Sequence, residues 1–562
     1  MAMQTATAGP MTAQPPFSLW TGMARQARGR LLLAFLTSFV AGAASTATIV
    51  LIDRGLAASP ATRPDGLAAF AATALTACAA LVVSRTLFAQ LGQSGLADLR
   101  RAIAERVQAA SFPSFEAVGS ARIQSLVSED ANQIANVLVA LPVLATNAVV
   151  VLATLGYLAY LSPGLFLAAL AAIAVGAAGY SACYGRVGVE LREAGKAQDR
   201  LFAHFLALGA GAKELRLNRD KGRRFLDTAL GPAIDAVARH RSRGLAVLAL
   251  AGGWGRLLFL ALIGLTLFLP GADERAPAVT TGYVVAFLYL MGPLEAVLNT
   301  VPLVNLARVG ADRVEATFAR LDPEPESAVG RAPNAQVAVT LDDVSHRIHD
   351  ARTGDGFVLG PVSLTLRPGE ITFLVGGNGS GKTTLAKVIA GLYAPETGRL
   401  SLTGQEVREA RRLAHCGHVS AIFSDFHLFE TLLERPEPTL DARARAWLVR
   451  LGLDHRVGIR DGAWSTRDLS AGQRRRLALV AACLEDRPVL IFDEWAADQD
   501  PEFRTAFYET ILPELAASGK TLVVVTHDER WFGRADQLLK LDRGRVVEHR
   551  TKRTAPTVEA GA

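Results

Sequence analysis

The fold of this chain is decided by the stretch Gly376-Gly377-Asn378-Gly379-Ser380-Gly381-Lys382-Thr383, which fits the phosphate-loop pattern G-x-x-x-x-G-K-[ST]. The apolar run Ile371–Val375 before it predicts a buried strand, and Leu385–Ala390 after it predicts the opening of a helix. Glycines in such a loop let backbone N–H groups turn toward phosphate oxygens, and the N-terminus of the helix adds partial positive charge. A glycine-rich turn that binds no ligand could have the same sequence, so the motifs that follow are needed to distinguish it from a phosphate loop.

This loop predicts a set of nucleotide contacts. Lys382 would reach the β- and γ-phosphates, and the hydroxyl of Thr383 would ligate Mg²⁺. The predicted nucleotide-binding residues of this stretch are Gly376, Gly377, Asn378, Gly379, Ser380, Gly381, Lys382, Thr383 and Thr384.

Three later motifs follow the phosphate loop along the chain. The first is Leu469-Ser470-Ala471-Gly472-Gln473, before a basic run with a helical pattern. The second is the apolar strand Val489–Phe492, which ends in Asp493-Glu494. Asp493 is placed to hold Mg²⁺ through water, and Glu494 is placed to orient and deprotonate an attacking water. The third is the strand Leu522–Thr526, which ends in His527.

His527 is predicted to contact the γ-phosphate and to hold the catalytic geometry. Taken alone, a histidine at a strand end has a structural role about as often. Because the other three motifs occur in the same chain, the catalytic interpretation of His527 is favoured.

Composition indicates a membrane protein, because half of the residues are hydrophobic and the mean hydropathy is +0.25. The four cysteines show neither disulfide nor zinc spacing. Six apolar runs each reach the roughly 20 residues that cross a bilayer. A buried helix of a soluble protein explains one such run poorly and six hardly at all. The runs are Leu31–Ile52, Gly66–Ser84, Ile134–Leu161, Gly164–Tyr184, Gly244–Leu269 and Val279–Leu306.

Charge sets the predicted orientation, since cytosolic loops carry the excess of Lys and Arg. The segments after the second and fourth spans are long and basic, whereas the opposite loops hold only Arg54, Arg63 and Arg275. Both termini and the basic loops are therefore predicted to be cytosolic. The helical pattern of these loops predicts extensions of the membrane helices.

The predicted domains are a disordered tail over residues 1–18, a six-helix transmembrane domain over 19–322, a nucleotide-binding domain over 337–550 and a loose tail over 551–562. The linker is placed near Asp322–Ser327, where hydropathy falls.

In this order, the four motifs resemble the nucleotide-binding domain of an ABC transporter, and the six spans resemble the exporter-type membrane domain. The resemblance implies a membrane all-α six-helix domain and an α/β P-loop NTPase domain. A narrower resemblance appears at Glu494–Pro501, which reads E-W-A-A-D-Q-D-P, and at Phe423–Phe429. These stretches are similar to the bacterial cyclic-peptide and siderophore exporters, of the syringomycin and pyoverdine type, and to relatives that export lasso peptides.

Two positions depart from the family pattern. Ser424 stands where most members have a glutamine, so its shorter hydroxyl would contact Mg²⁺ through a bridging water. Ile348 stands where most members stack an aromatic ring on adenine, and His346 or His349 is a possible substitute.

The resemblance implies ATP and Mg²⁺ as cofactors and a site completed by a second copy. Ser470, Ala471, Gly472 and Gln473 would contact the nucleotide bound at Lys382 of the partner. A homodimer is the economical interpretation, and a heterodimer remains open. Short coupling helices are expected near Leu126–Ile134 and Leu206–Leu215.

The leading function is ATP-driven export of a cyclic or constrained peptide, or a peptide siderophore, across the bacterial cytoplasmic (inner) membrane. The alternatives are a multidrug or lipid exporter, a siderophore importer on an exporter fold, and, from a different class, an ATP-gated channel or receptor. Glu494 argues against the last class, which needs no catalytic base. The six spans exclude a soluble DNA-repair or translation ATPase, and we expect no nucleic-acid partner.

Two charges lie inside predicted spans. At about 1.5 Å per residue, Arg256 lies about 18 Å and Glu295 about 16 Å from the cytosolic end of its helix. Charges at such depth face a cavity or a partner. The hypothesis is that the two line the cargo path, paired or with Arg256 offered to an anionic cargo group; a purely structural ion pair is the alternative.

Overall fold

The computed structural model describes residues 28–57, 66–268, 277–324, 336–349, 356–408, 412–433 and 437–552. The chain divides into two compact units. The membrane unit takes the described residues up to Ala104 together with Ala121–Thr317. The nucleotide-binding unit takes Glu105–Ser120 and the described residues from Phe318 onward. The predicted tail over 1–18 and most of the tail over 551–562 lie outside the described residues.

Long helices build the membrane unit, and within the described residues six helices are apolar and long enough to cross a membrane. The predicted all-α membrane domain is thereby confirmed. Several helices continue well past their apolar runs, as the pattern of the basic loops predicted. The long helices are α1 (Arg28–Ala57), α2 (Leu67–Gln108), α5 (Ala131–Leu161), α6 (Pro163–Ala210), α9 (Gly231–Phe268) and α10 (Pro277–Phe318).

The core of the membrane unit forms where α5, α6, α9 and α10 meet. Buried Phe259 and Phe287 pack edge to face with ring centroids 6.3 Å apart. Tyr283 is fully buried, and its hydroxyl donates hydrogen bonds to the carbonyl oxygens of Leu158 and Ser162. A buried hydroxyl needs such partners, so these bonds fix α10 against the turn between α5 and α6.

Short elements interrupt both long loops. The first loop holds α3 (Phe112–Val118) and α4 (Ser120–Ser125), and the second holds α7 (Ala212–Leu217) and α8 (Arg219–Phe225). Each loop then passes through a five-residue π-turn, Leu126–Asp130 in the first and Leu226–Leu230 in the second.

The predicted coupling helix at Leu126–Ile134 is therefore wrong. Those residues are a π-turn that runs directly into α5. The short separate helix of this loop is α3, which starts at a proline-containing turn and ends at Gly119. In the second loop, α7 overlaps the predicted Leu206–Leu215 in part.

Two sheets form the nucleotide-binding unit. Their strands are β1 (Val339–His349), β2 (Gly356–Leu366), β3 (Ile371–Gly376), β4 (Thr397–Leu402), β5 (Gln405–Glu406), β6 (Val419–Ile422), β9 (Val489–Asp493), β10 (Thr521–Val525), β11 (Gln537–Asp542) and β12 (Arg545–Thr551), with a small separate hairpin of β7 (Ile459–Arg460) and β8 (Ala463–Trp464). The first sheet has the order β2-β1-β4-β5 and is antiparallel. The second sheet has the order β12-β11-β3-β10-β9-β6 and is parallel except for the β11–β12 pair.

Helices pack on this parallel sheet, so the α/β class predicted for this half is confirmed. One apolar core lies between the two sheets and the other under the helices around Trp495 and Phe507. The helices are α11 (Lys382–Ile389), α12 (Arg412–Cys416), α13 (Leu440–Arg450), α14 (Ala471–Leu484), α15 (Pro501–Ala506) and α16 (Leu512–Ala517). β12 pairs with β11 as far as Thr551, one residue beyond the predicted domain end.

Candidate functional site

The carboxyl ends of four neighbouring parallel strands bring the predicted site residues together. The phosphate loop follows β3, Asp493 ends β9, His527 lies just beyond β10, and Ser424 lies just beyond β6. In open α/β sheets, ligands bind at this edge because loops and helix N-termini converge there. The apolar strands are buried on both faces, so the polar residues that end them are placed by the sheet itself.

The phosphate loop needs glycine at its two ends. Gly376 has φ 142°, and a Cβ there would lie 2.1 Å from the carbonyl oxygen of Leu541. Gly381 has φ 100° and is buried where α11 begins. Between them the loop is exposed over Gly377, Asn378 and Gly379, whereas Ser380 is buried. The exposed backbone therefore stands at the N-terminus of α11, where an anion is favoured.

Lys382 is folded back on its own loop. Its Nζ donates hydrogen bonds to the carbonyl oxygens of Gly376 at 3.1 Å and Gly377 at 2.9 Å. Burial lowers the pKa of Lys382, and the nearby carboxylates of Glu494 and Asp493 oppose this shift. Thr384 lies beside it on the first turn of α11 and is partly buried.

Thr383 and Asp493 meet at a position suited to a cation. The Thr383 hydroxyl donates to Oδ2 of Asp493 at 3.1 Å, while the buried Oδ1 has no hydrogen-bond partner among the described residues. Burial raises the pKa of Asp493, and the Thr383 hydroxyl and the Ser424 backbone amide work against that rise. A buried carboxylate oxygen without a hydrogen-bond partner among the described residues, next to a threonine hydroxyl, fits Mg²⁺, which takes oxygen ligands.

Glu494 and His527 lie together at the same edge. Nε2 of His527 is 3.1 Å from Oε1 of Glu494, and both side chains are partly exposed. Glu494 has a left-handed backbone, with φ 53°, and its N–H donates to the carbonyl oxygen of Val525 at 3.1 Å. A non-glycine residue at positive φ persists only where its surroundings hold it, and such residues cluster at functional sites.

The signature stretch lies at the start of α14, and in one chain it is not joined to the phosphate loop. Ser470 and Gln473 form a capping box, in which each side chain accepts a hydrogen bond from the other residue's backbone N–H. Ala471 is exposed on the first turn. Gly472 packs on the backbone of Asp498, whose carbonyl oxygen would lie 2.8 Å from an added Cβ. No hydrogen bond between the described residues links Ser470–Gln473 to Gly376–Thr384.

One aromatic side chain beside the loop, that of Phe357, was not predicted from sequence. Phe357 on β2 pairs across the sheet with Ile348 of β1, and its ring edge lies 2.8 Å from where a Cβ of Gly381 would stand. His346 was a predicted substitute for the base-stacking residue, but its ring stacks on Tyr393 at 4.7 Å and its Nδ1 bonds to Ala394. The side chain of His349 lies outside the described part of the chain.

A second unpredicted cluster joins α3 to α11 within the nucleotide-binding unit. Lys387 of α11 contacts Glu116 of α3 at 2.9 Å, and the Tyr393 hydroxyl donates to the same carboxylate. The Lys387 ammonium also lies 5.0 Å from the centre of the Phe112 ring. Desolvation raises the pKa of Glu116, but the hydrogen bonds from Tyr393 and Lys387 outweigh it and lower the pKa overall. No local sequence pattern announces this cluster, because its members meet only in the folded unit.

Comparisons with known families agree with this geometry. Residues 359–497 match the family described as ABC transporter, and residues 31–194 match the ABC transporter transmembrane region.

Relatives similar over most of their length include the ATP-binding protein SyrD of Pseudomonas syringae pv. syringae, 35% identical over 80% of this chain and 82% of that protein. An ATP-dependent lipid A-core flippase of Alkalilimnicola ehrlichii is 28% identical over 83% and 80%. A Mycobactin import ATP-binding/permease protein, IrtB, of Mycolicibacterium thermoresistibile is 27% identical over 82% and 80%.

Among solved structures, a bacterial Atm1-family ABC exporter with ATP bound superposes with a TM-score of 0.77 at 18% identity, covering 93% of this chain and 96% of that one. At that identity the likeness shows the fold alone. The SyrD match, at higher identity and across both halves, shows the family. The chain therefore belongs to the ABC transporters, as an ATP-hydrolysing membrane protein in which an exporter-type transmembrane domain is fused to an ATP-binding domain.

Proposed function

We propose that this transporter exports a cyclic or otherwise constrained peptide, or a peptide siderophore, across the bacterial cytoplasmic membrane. The observation that carries the proposal is the similarity to SyrD across both halves of the chain. The stretch E-W-A-A-D-Q-D-P adds to it, because this stretch lies directly at the candidate site and is similar to the syringomycin-type exporters. The flippase and Mycobactin-import relatives make lipid translocation and siderophore import the alternatives that an experiment must separate.

In this proposal, the phosphate loop and the start of α11 bind the phosphates of ATP. Exposed N–H groups of Gly377–Gly379 are the donors, and Lys382 turns from its own carbonyls to the phosphate oxygens. Thr383 and Asp493 would hold Mg²⁺, with Ser424 acting through a water, and a bound Mg²⁺ would neutralise negative charge on the phosphates. Oδ1 of Asp493, which has no hydrogen-bond partner within the described chain, supports this assignment.

Glu494 is the general base of the proposed reaction. Its carboxylate is placed to accept a proton from the attacking water, and His527 holds that carboxylate through the 3.1 Å contact. The sequence predicted that His527 would contact the γ-phosphate. Its bond to Glu494 supports the other half of that prediction, which is control of the catalytic geometry.

Two copies of the chain would form the working unit. The signature residues Ser470–Gln473 make no hydrogen bond to their own phosphate loop within the described chain, which fits a role in the site of a partner. The basic loops and both termini are assigned to the cytosol by the excess of Arg.

The cargo is tested in the host that carries this gene. We expect medium from a deletion strain to lack one or more peptide ions that the wild-type gene restores, as measured by untargeted mass spectrometry. A Glu494→Gln gene should fail to restore them, because it removes the base and keeps the size of the side chain. Loss confined to surface lipids would favour the flippase alternative, and loss of iron–siderophore uptake would favour import.

The same variant tests the ATPase assignment in purified protein. Glu494→Gln should bind ATP but hydrolyse it about 10²-fold or more slowly, the scale expected for a positioned general base. Steady-state turnover near that of the wild type would contradict the role of Glu494.

Sharing of sites between two copies is tested by mixing. Lys382→Ala removes the cation that faces the phosphates, so a pure variant should bind and turn over ATP poorly. When wild-type and Lys382→Ala chains assemble together, activity should fall further than the wild-type fraction does. Strict proportionality to the wild-type fraction would count against composite sites.

A further inference from the structure

Arg475 lies on the second turn of α14 and points its guanidinium at the segment after β9. Its Nη1 donates to the carbonyl oxygen of Glu494, and Nη1 also lies 3.4 Å from the carbonyl oxygen of Trp495. Its Nη2 forms an ion pair with Asp498 at 2.9 Å, and only 13% of the side chain is exposed. One side chain of α14 thus binds the proposed catalytic base and two residues that follow it in the chain.

Hydrogen bonds donated by the segment after β9 to carbonyl oxygens of α14 complete this contact. The fully buried indole of Trp495 donates from Nε1 to the carbonyl oxygen of Arg475 at 2.7 Å. Gln499 donates from Nε2 to the carbonyl oxygen of Gly472 at 3.1 Å. Because Gly472 also packs on the Asp498 backbone, the first turns of α14 and the segment Glu494–Gln499 are held as one body.

Glu494 is the residue most sensitive to this connection. It sits at positive φ between Asp493 and Trp495, and its carboxylate direction depends on how its backbone is held. On one side its N–H is fixed to Val525, and on the other its carbonyl oxygen is fixed by Arg475. A shift of α14 would therefore move the Glu494 backbone, because the Arg475 guanidinium connects the two.

We propose that Arg475 is a positioning residue that ties the orientation of the Glu494 carboxylate to the position of the signature loop in the same chain. The proposal rests on the proposed function, in which Glu494 is the base and Ser470–Gln473 bear on the nucleotide. Arg475 contacts neither the phosphate loop nor Lys382 through any hydrogen bond of the described residues, so its effect should fall on the chemical step and not on ATP affinity.

The test compares steady-state ATP hydrolysis by full-length variants in lipid nanodiscs. Arg475→Gln should lower kcat by about tenfold or more, since a small displacement of a catalytic group costs about 10- to 100-fold, while KM for ATP stays within about twofold. Arg475→Lys keeps the charge and one donor, so it should recover part of kcat. Arg474→Gln is the matched control, because Arg474 is the exposed neighbour on the same helix, and it should behave as wild type.

A second variant tests whether a loss of kcat comes from the positioning contact and not from a defect in folding. Asp498→Asn breaks only the ion pair, and we expect a smaller loss of kcat than for Arg475→Gln. The double variant should be no slower than Arg475→Gln alone, because both changes act on one contact. Additive losses, or an equal rise in KM, would overturn the proposal.

The proposal and the function on which it rests fail in different ways. If Glu494→Gln retains wild-type turnover, the base assignment fails. If Glu494→Gln is inactive while Arg475→Gln has wild-type kcat, only the positioning role of Arg475 fails.

Discussion

The aromatic side chain beside the phosphate loop comes from β2 and not from β1. Ile348 occupies the position where the family pattern has a stacking aromatic, and Phe357 lies directly across from it in the sheet. The Phe357 ring edge rests against Gly381. His346 is already stacked on Tyr393, so Phe357 is the ring best placed to meet the base or ribose of a bound nucleotide.

Phe357→Ala should therefore raise the dissociation constant for the nucleotide by about tenfold, since stacking of a base on an aromatic ring contributes about 1–3 kcal/mol. Phe357→Tyr should preserve affinity because the ring remains. Val358→Ala, at the exposed next position of the same strand, is the control. Equilibrium binding of a fluorescent ATP analogue is the measurement, and unchanged affinity of Phe357→Ala would remove the ring from the site.

Sequence shows which candidate residues the fold brings together where they follow the end of a strand. Lys382, Asp493 and His527 each follow an apolar strand, and the parallel sheet then places them at one edge. Phe357 and Arg475 could not be predicted in this way, because each contact joins elements that are distant along the chain. The only signal for Arg475 was its place in the basic run after the signature stretch.

At the scale of elements, α3 and α11 form the contact with the clearest consequence. α11 starts in the phosphate loop, and Lys387 near its end binds Glu116. We expect Glu116→Gln to keep basal ATP hydrolysis and to reduce ATP-driven export, because a charged link between the loop and the nucleotide helix is weakened. Glu129→Gln, exposed in the same loop, is the control. Full export by Glu116→Gln at wild-type ATP consumption would contradict a coupling role.

This contact has a defined pH dependence. The pKa of Glu116 is lowered in the folded chain, so the link stabilises the fold above the ordinary pKa of a glutamate. That stabilisation is lost as the pH falls through the lowered value. At neutral pH the link is therefore intact, and acid is needed to break it.

The position of α3 shows why element boundaries were harder to predict than spans. The apolar runs marked all six membrane helices, because length and composition alone identify them. The coupling segment was misplaced because the loop is helical throughout, so periodicity does not show where the chain reverses. Pro113 at the start of α3 and Gly119 after its end were the available signals.

At the scale of the whole molecule, we propose that the charged pair in the membrane unit faces the cargo path. Nη2 of Arg256 on α9 lies 3.5 Å from Oε2 of Glu295 on α10, so the two side chains lie close enough to pair. Their side chains remain 64% and 53% exposed in the chain. Exposed charges inside a span are costly unless they face a cavity or another partner, which supports the cargo-path hypothesis.

Arg256→Ala should leave basal ATP hydrolysis largely intact and remove its stimulation by cargo. Glu295→Ala should shift cargo preference toward more anionic molecules. The exchange Arg256→Glu with Glu295→Arg is the control, because it keeps an ion pair and reverses what each helix offers. If the exchanged protein folds and transports the original cargo, the pair is structural. If it folds but transports a different cargo, the pair contributes to cargo selection.

Each of the two long loops contains a π-turn, which has one residue more than a turn of α-helix. In Leu126–Asp130 and Leu226–Leu230, the amides of Ala131 and Gly231 bond to carbonyls five residues back, where an α-helix would use four. Since an α-helix turns by about 100° per residue, deleting one residue at either place would rotate what precedes the turn by roughly that angle. The rotation of each loop about the helix axis is thus set by the number of residues and not by side chains. A single-codon deletion there would therefore rotate the segment before the turn relative to the helix after it.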